Sequence, residues 1–154
     1  MEDNTNNRTA GATPAQSNNT NEAIDALVSK ALSNIALADG QRERGQMPQG
    51  MGSSKPNQGQ TYTLTGETDV DGEGNSARTV FLCADGSRLG LKYVIRVGRG
   101  SLPISGNTKE ARTEDLIRKC PMQIRCIKTE EYEVKPRAGQ NFEPYSDVRV
   151  EWGA

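Results

Sequence analysis

Residues 79–97 read TVFLCADGSRLGLKYVIRV. Two apolar runs flank Asp85-Gly86, and Asp-Gly in that setting signals a β-hairpin, because both central positions of a type I′ turn need positive φ. The spacing predicts strands over 79–83 and 88–97. In the second, Leu89, Leu91, Tyr93, Ile95 and Val97 alternate onto one face, which leaves Arg88, Lys92 and Arg96 on the other.

Toward the N-terminus, a strand is expected from residue 60, where Tyr62 and Leu64 alternate with polar residues, followed by a turn-rich stretch over 68–77. Toward the C-terminus, a Gly- and Pro-containing loop over 98–107 precedes a helix over 109–119, with Leu116 and Ile117 inward and Pro121 closing it. Extended segments follow at 122–129, continuing to 134, and at 146–152, where Val148, Val150 and Trp152 point inward. Three strands, a helix and two further strands is the element order of an oligonucleotide/oligosaccharide-binding (OB) barrel, an order that other small barrels and α+β sheets share. The expected fold class is mainly β with one short helix, a small OB-like barrel or curved sheet. A largely unstructured N-terminal arm carrying one amphipathic helix precedes it.

That arm occupies residues 1–59 and the β domain residues 60–154. The first sixty residues contain no aromatic side chain, and residues 1–18 are rich in Asn and Thr. Such a stretch buries too little apolar surface to offset chain entropy. Within the arm, Ile24, Leu27, Val28, Ala31, Leu32 and Ile35 recur at helical spacing, which predicts an amphipathic helix over about 21–38 with Asn19 or Thr20 as its cap and Gly40 as its stop. A helix of that length is marginal alone in water, so its stripe has to be covered by its own domain, a second copy or a partner. The segment 39–60, with Met47 and Met51 as its only large apolar residues, reads as a linker.

Charge narrows the function classes. The net charge is −1, with five basic and six acidic residues in 1–57 and fourteen of each in 58–154, so no domain-wide basic field exists to steer nucleic acid. Three cysteines, Cys83, Cys120 and Cys126, make an odd number. With no signal segment and no membrane-length apolar run, they point to an intracellular, soluble protein or a component of a larger assembly. The polar face of the arm helix lacks the basic excess that anionic membranes favour, so no membrane partner is expected.

No catalytic constellation is legible. Histidine, the commonest general base and nitrogen ligand, is absent. The cysteine spacing fits no zinc site, so no metal and no cofactor is expected. Asp69-Val-Asp71-Gly-Glu73-Gly74-Asn75 resembles the front half of a calcium loop, but position twelve is Val80, and a solvated turn is the better reading. The glycines of 100–109 are spaced too far apart for a phosphate loop.

The leading expectation is a non-enzymatic structural or interaction protein. Its arm would dock on a protein partner or self-associate through Ile24, Leu27, Val28, Leu32 and Ile35. The alternative is a single-stranded nucleic-acid-binding OB-like protein. That reading uses Arg88, Lys92, Arg96 and Arg99 as a line of phosphate contacts, with Tyr132, Phe142 or Tyr145 as surface aromatics.

Overall fold

The computed structural model describes residues 21–44, 54–98 and 100–153. Five strands, β1 (Thr61–Asp71), β2 (Arg78–Cys83), β3 (Arg88–Gly90), β4 (Met122–Val134) and β5 (Tyr145–Gly153), form one antiparallel sheet in the order β3-β2-β1-β4-β5. The helices among the described residues are α1 (Asn21–Arg44), α2 (Leu91–Val94) and α3 (Lys109–Arg118), with a 310 turn at Gly74–Ser76. None of them is long and apolar enough to cross a membrane.

β1 organises the sheet. Its first residues pair with β4, from Thr61↔Arg125 to Leu64↔Met122, and its later ones pair with β2, from Leu64↔Cys83 to Asp71↔Arg78. The register breaks between Leu64 and Thr68, where Gly66 sits at φ +97°. A Cβ there would lie 3.3 Å from Leu27 Cδ1 and 3.4 Å from Cys120 Cβ, so the bare backbone is what lets α1 and α3 close on the bend. The core lies beneath, with Leu64, Phe81, Leu89, Leu116, Ile117 and Ile124 all fully buried. Each such side chain contributes roughly 1.5–3 kcal/mol relative to exposure.

The sheet is not closed, because β3 and β5 are its two edges and do not pair. The chain beyond α2 spans the gap instead. There Gly100 O accepts the Trp152 N–H at 2.7 Å, and Tyr93 O accepts the Trp152 indole N–H at 2.8 Å. Leu102 and Ile104 then anchor the expected 98–107 loop in the core.

Helix α1 packs on β1, β2 and α3 of its own chain. Val28, Ala31, Ile35 and Ala38 are buried, and Ile24, Leu27 and Leu32 rest against the same core. Of the five residues expected to anchor a partner, Val28 and Ile35 are thus buried in the chain's own core, while Ile24, Leu27 and Leu32 pack against it and stay half-buried. Polar links fasten the helix further. Asn34 Nδ2 donates to Thr68 Oγ1 at 2.8 Å, Thr79 Oγ1 donates to Asn34 O at 3.1 Å, and Arg118 meets Asp25 at 3.1 Å. The helix also continues through Gly40, where a stop was expected. A helical Gly costs about 1 kcal/mol relative to Ala, and the next turn is held by Arg42 Nη1 donating to Ala77 O at 2.7 Å. The cap positions Asn19 and Thr20, the rest of the 1–20 stretch, Met47 and Met51 lie outside the described residues.

The expected third strand is the largest departure. It ends at Gly90, after which 91–94 form a helical turn. Leu91, Val94 and Ile95 fall at i, i+3 and i+4, so the stretch satisfies helical spacing as well as alternation, and Val94 is fully buried although alternation places it outward. Val97, expected inward, is 71% exposed. The hairpin itself forms, but with a three-residue loop. Gly86 N–H donates to Cys83 O, Cys83 N–H donates to Ser87 O, and Gly86 takes the left-handed position at φ +91°.

Candidate functional site

The break in the third strand scatters the expected basic line. Arg88 Nη1 contacts Asp69 Oδ2 at 3.0 Å and Asp71 Oδ1 at 2.5 Å, so two acids of the calcium-like segment neutralise it. Lys92 Nζ meets Asp147 Oδ1 at 3.2 Å. Arg96 turns toward the β4–β5 hairpin, where its guanidinium donates to Tyr132 Oη at 2.8 Å and to Val148 O at 3.2 Å. Arg99 lies outside the described residues.

Lys92 and Arg96 nevertheless share a larger feature. A cleft of about 530 Å3 opens between the C-terminal end of α1, the β2–β3 edge with α2, the N-terminus of α3 and the start of β5. That volume falls within the range of small-ligand sites. Its charged lining consists of the cations Arg42, Arg78, Lys92, Arg96, Lys109 and Arg112 against the acids Asp39 and Asp147. In a chain of net charge −1, this is a local concentration of positive charge.

Ion pairing consumes part of it. Asp39 serves both Arg42 and Lys109, the latter at 2.6 Å, and Asp147 serves Lys92. Arg112 is buried and donates to carbonyls, Ile95 O at 2.6 Å and Ile104 O at 3.0 Å. Those bonds fasten α3 to the chain beyond α2. The Arg78 side chain has no hydrogen-bond or ion-pair partner among the described residues. Its charge acts on the Tyr93 phenol, as does that of Asp147.

Tyr93 and Ser54 form the polar floor. Gly90 N–H donates to Ser54 O at 3.0 Å, and a Cβ at Gly90 would lie 2.9 Å from Ser54 Oγ and 3.0 Å from the Tyr93 ring, so both side chains sit against the bare glycine. Their hydroxyls are buried without a hydrogen-bond partner. Burial pushes the Tyr93 phenol up to about 12, with Asp147 adding to the shift. At neutral pH it stays a neutral donor.

An aromatic cluster flanks the opening. Tyr145 lines the cleft and lies 5.8 Å from Phe142, ring centre to ring centre, at a tilt of 51°. The Tyr132 ring has the Arg149 guanidinium 4.8 Å from its centroid and that of Arg96 at 5.6 Å. All three rings are half-buried.

The three thiols lie elsewhere, in the core, and burial raises each of them, Cys83 to about 11 and Cys120 to about 12. Among the described residues no group of three acids or thiols is placed to hold a metal ion. Sequence reasoning missed Arg78, Lys109 and Ser54, because the cleft gathers them from separate elements and no local spacing marks them. The signals available were the basic residues Lys92 and Arg96 and the surface role expected for Tyr145. No protein-family model, curated protein or solved structure matches the chain.

Proposed function

We propose that the protein is a non-catalytic binding module that takes an anionic ligand in this cleft. The observation that carries the reading is the excess of cations in the lining, with Arg78 left without a counter-charge. A cation held in a partly enclosed cleft without a carboxylate is stabilised by an incoming anion, and low-dielectric walls strengthen that attraction. The lining contains no thiol, and its two acids are engaged with cations, which favours binding over chemistry. The apolar stripe of α1 is largely occupied by the chain's own core, which favours the cleft over the helix as the binding surface.

The fold is consistent with an opened relative of the OB barrel. In support, β1 pairs with both β2 and β4, and α3 stands between β3 and β4 in chain order. A loop takes the place of the pairing between β3 and β5 that would close such a barrel.

Calorimetric titration with inorganic tripolyphosphate tests the anion reading. Binding is expected to weaken as salt rises from about 50 to 200 mM. Arg78→Glu is expected to reduce affinity about tenfold or more, whereas Arg88→Glu, outside the cleft, leaves it within about twofold. Absence of binding at low salt, or equal losses in the two variants, removes the reading.

A further inference from the structure

We propose that the anion is the phosphate backbone of a single-stranded nucleic acid, with a base stacked on the Tyr145–Phe142 pair. This rests on the anion reading above and goes beyond it by naming the ligand class. The cations alone are indifferent to what carries the negative charge; the aromatic cluster is not.

Tyr145 belongs to the cleft lining itself, and Phe142 and Tyr132 extend the aromatic surface along the β4–β5 hairpin. The half-buried rings keep part of their surface open to a base. Two guanidinium groups, those of Arg96 and Arg149, lie against the Tyr132 ring, which brings cations and ring faces together on this hairpin. Single-strand recognition requires this pairing of chemistries, since cations track the backbone while ring faces take bases of any identity. A sugar polymer or an acidic peptide would use the cations or the rings, but it lacks the regular alternation of phosphate and flat base that engages both.

Size selects the strand state. A cleft of about 530 Å3 admits a nucleotide unit or two and excludes a duplex, whose stacked bases also offer no free face. Because the rings contact base faces and the cations contact phosphates, sequence preference is expected to be weak.

Fluorescence anisotropy on the full chain decides the matter, with ten-nucleotide oligothymidylate and oligouridylate compared against inorganic polyphosphate of matched charge and against a duplex. Both oligonucleotides are expected to bind at least tenfold tighter than polyphosphate or duplex. Tyr145→Ala is expected to remove about tenfold of that affinity, and Tyr145→Phe to retain it. Polyphosphate or duplex binding as tightly as the single strands overturns the base-stacking inference and leaves the anion reading standing. Oligonucleotide affinity that Tyr145→Ala does not change does the same. If Tyr145→Ala fails to fold, the polyphosphate and duplex comparisons on the unaltered protein still decide. Failure of every polyanion to bind overturns both.

Discussion

The seam beneath α1 and the cleft at its C-terminal end share Ile35, Asp39, Arg42 and Thr79, yet they treat polar groups in opposite ways. Along the seam, Asn34, Thr68, Thr79 and Arg42 each find a partner within the chain. In the cleft, the Arg78 side chain has none among the described residues, and the Tyr93 and Ser54 hydroxyls are buried without one. Folded proteins satisfy nearly all their buried polar groups, and two of the three buried hydroxyls left without a partner among the described residues, those of Tyr93 and Ser54, lie at the cleft, the third being Thr113 of α3, so the accounting sets the cleft apart from the polar links of the seam.

The largest test of this contrast falls on the seam. Ile35→Ala removes a buried side chain that is 2% exposed and is expected to cost about 2–5 kcal/mol, read as a lower urea midpoint. A helix free to serve a partner would show no change, so an unaltered midpoint would return the stripe to a docking role. Asn34→Ala comes next. It strips Thr68 Oγ1 of its donor in a buried setting, and a loss of about 1–3 kcal/mol is expected from the same measurement. A negligible loss would mean that the polar links do not help hold α1 in place.

How much of this was legible in sequence depended on whether a residue's neighbours in space were also its neighbours in the chain. Alternation located Tyr62, Leu64, Val148, Val150 and Trp152 in the core, and i, i+3, i+4 spacing located both longer helices. The same rules misjudged 91–97, because the stretch satisfies helical spacing through Leu91, Val94 and Ile95 as well as alternation through Leu91, Tyr93 and Ile95, and periodicity does not decide between them. Whether the α1 stripe met its own sheet or a partner was undetermined by periodicity, which reports an apolar face and not what covers it. The cleft was the least legible of all. Arg78, Lys92, Lys109 and Tyr145 come from β2, α2, α3 and β5, and their proximity is a property of how the helices and the sheet pack together.

The smallest expected effect is the most telling for the cleft. Tyr93→Phe deletes a hydroxyl that has no partner, so stability at neutral pH should change by less than about 1 kcal/mol, in contrast to the seam variants. A loss as large as that of Asn34→Ala would reveal a partner for the hydroxyl and collapse the contrast. Alkaline pH sharpens the same comparison. Burial raises the Tyr93 phenol from 10.0 to about 12, so its contribution to stability is fully present below pH 10, where folded and unfolded chains both keep the proton. As pH rises through that window the unfolded chain ionises first, and the contribution is lost by the time the folded phenol ionises. Cys83 and Cys120, raised from 9.0 to about 11 and about 12, lose stability in an overlapping range, but equally in both proteins. Urea midpoints at pH 8, 10 and 11 should therefore coincide at the first value and separate at the last, with Tyr93→Phe the more alkali-resistant; curves that stay superimposed would place the phenol in a solvated position rather than on the buried floor of the cleft.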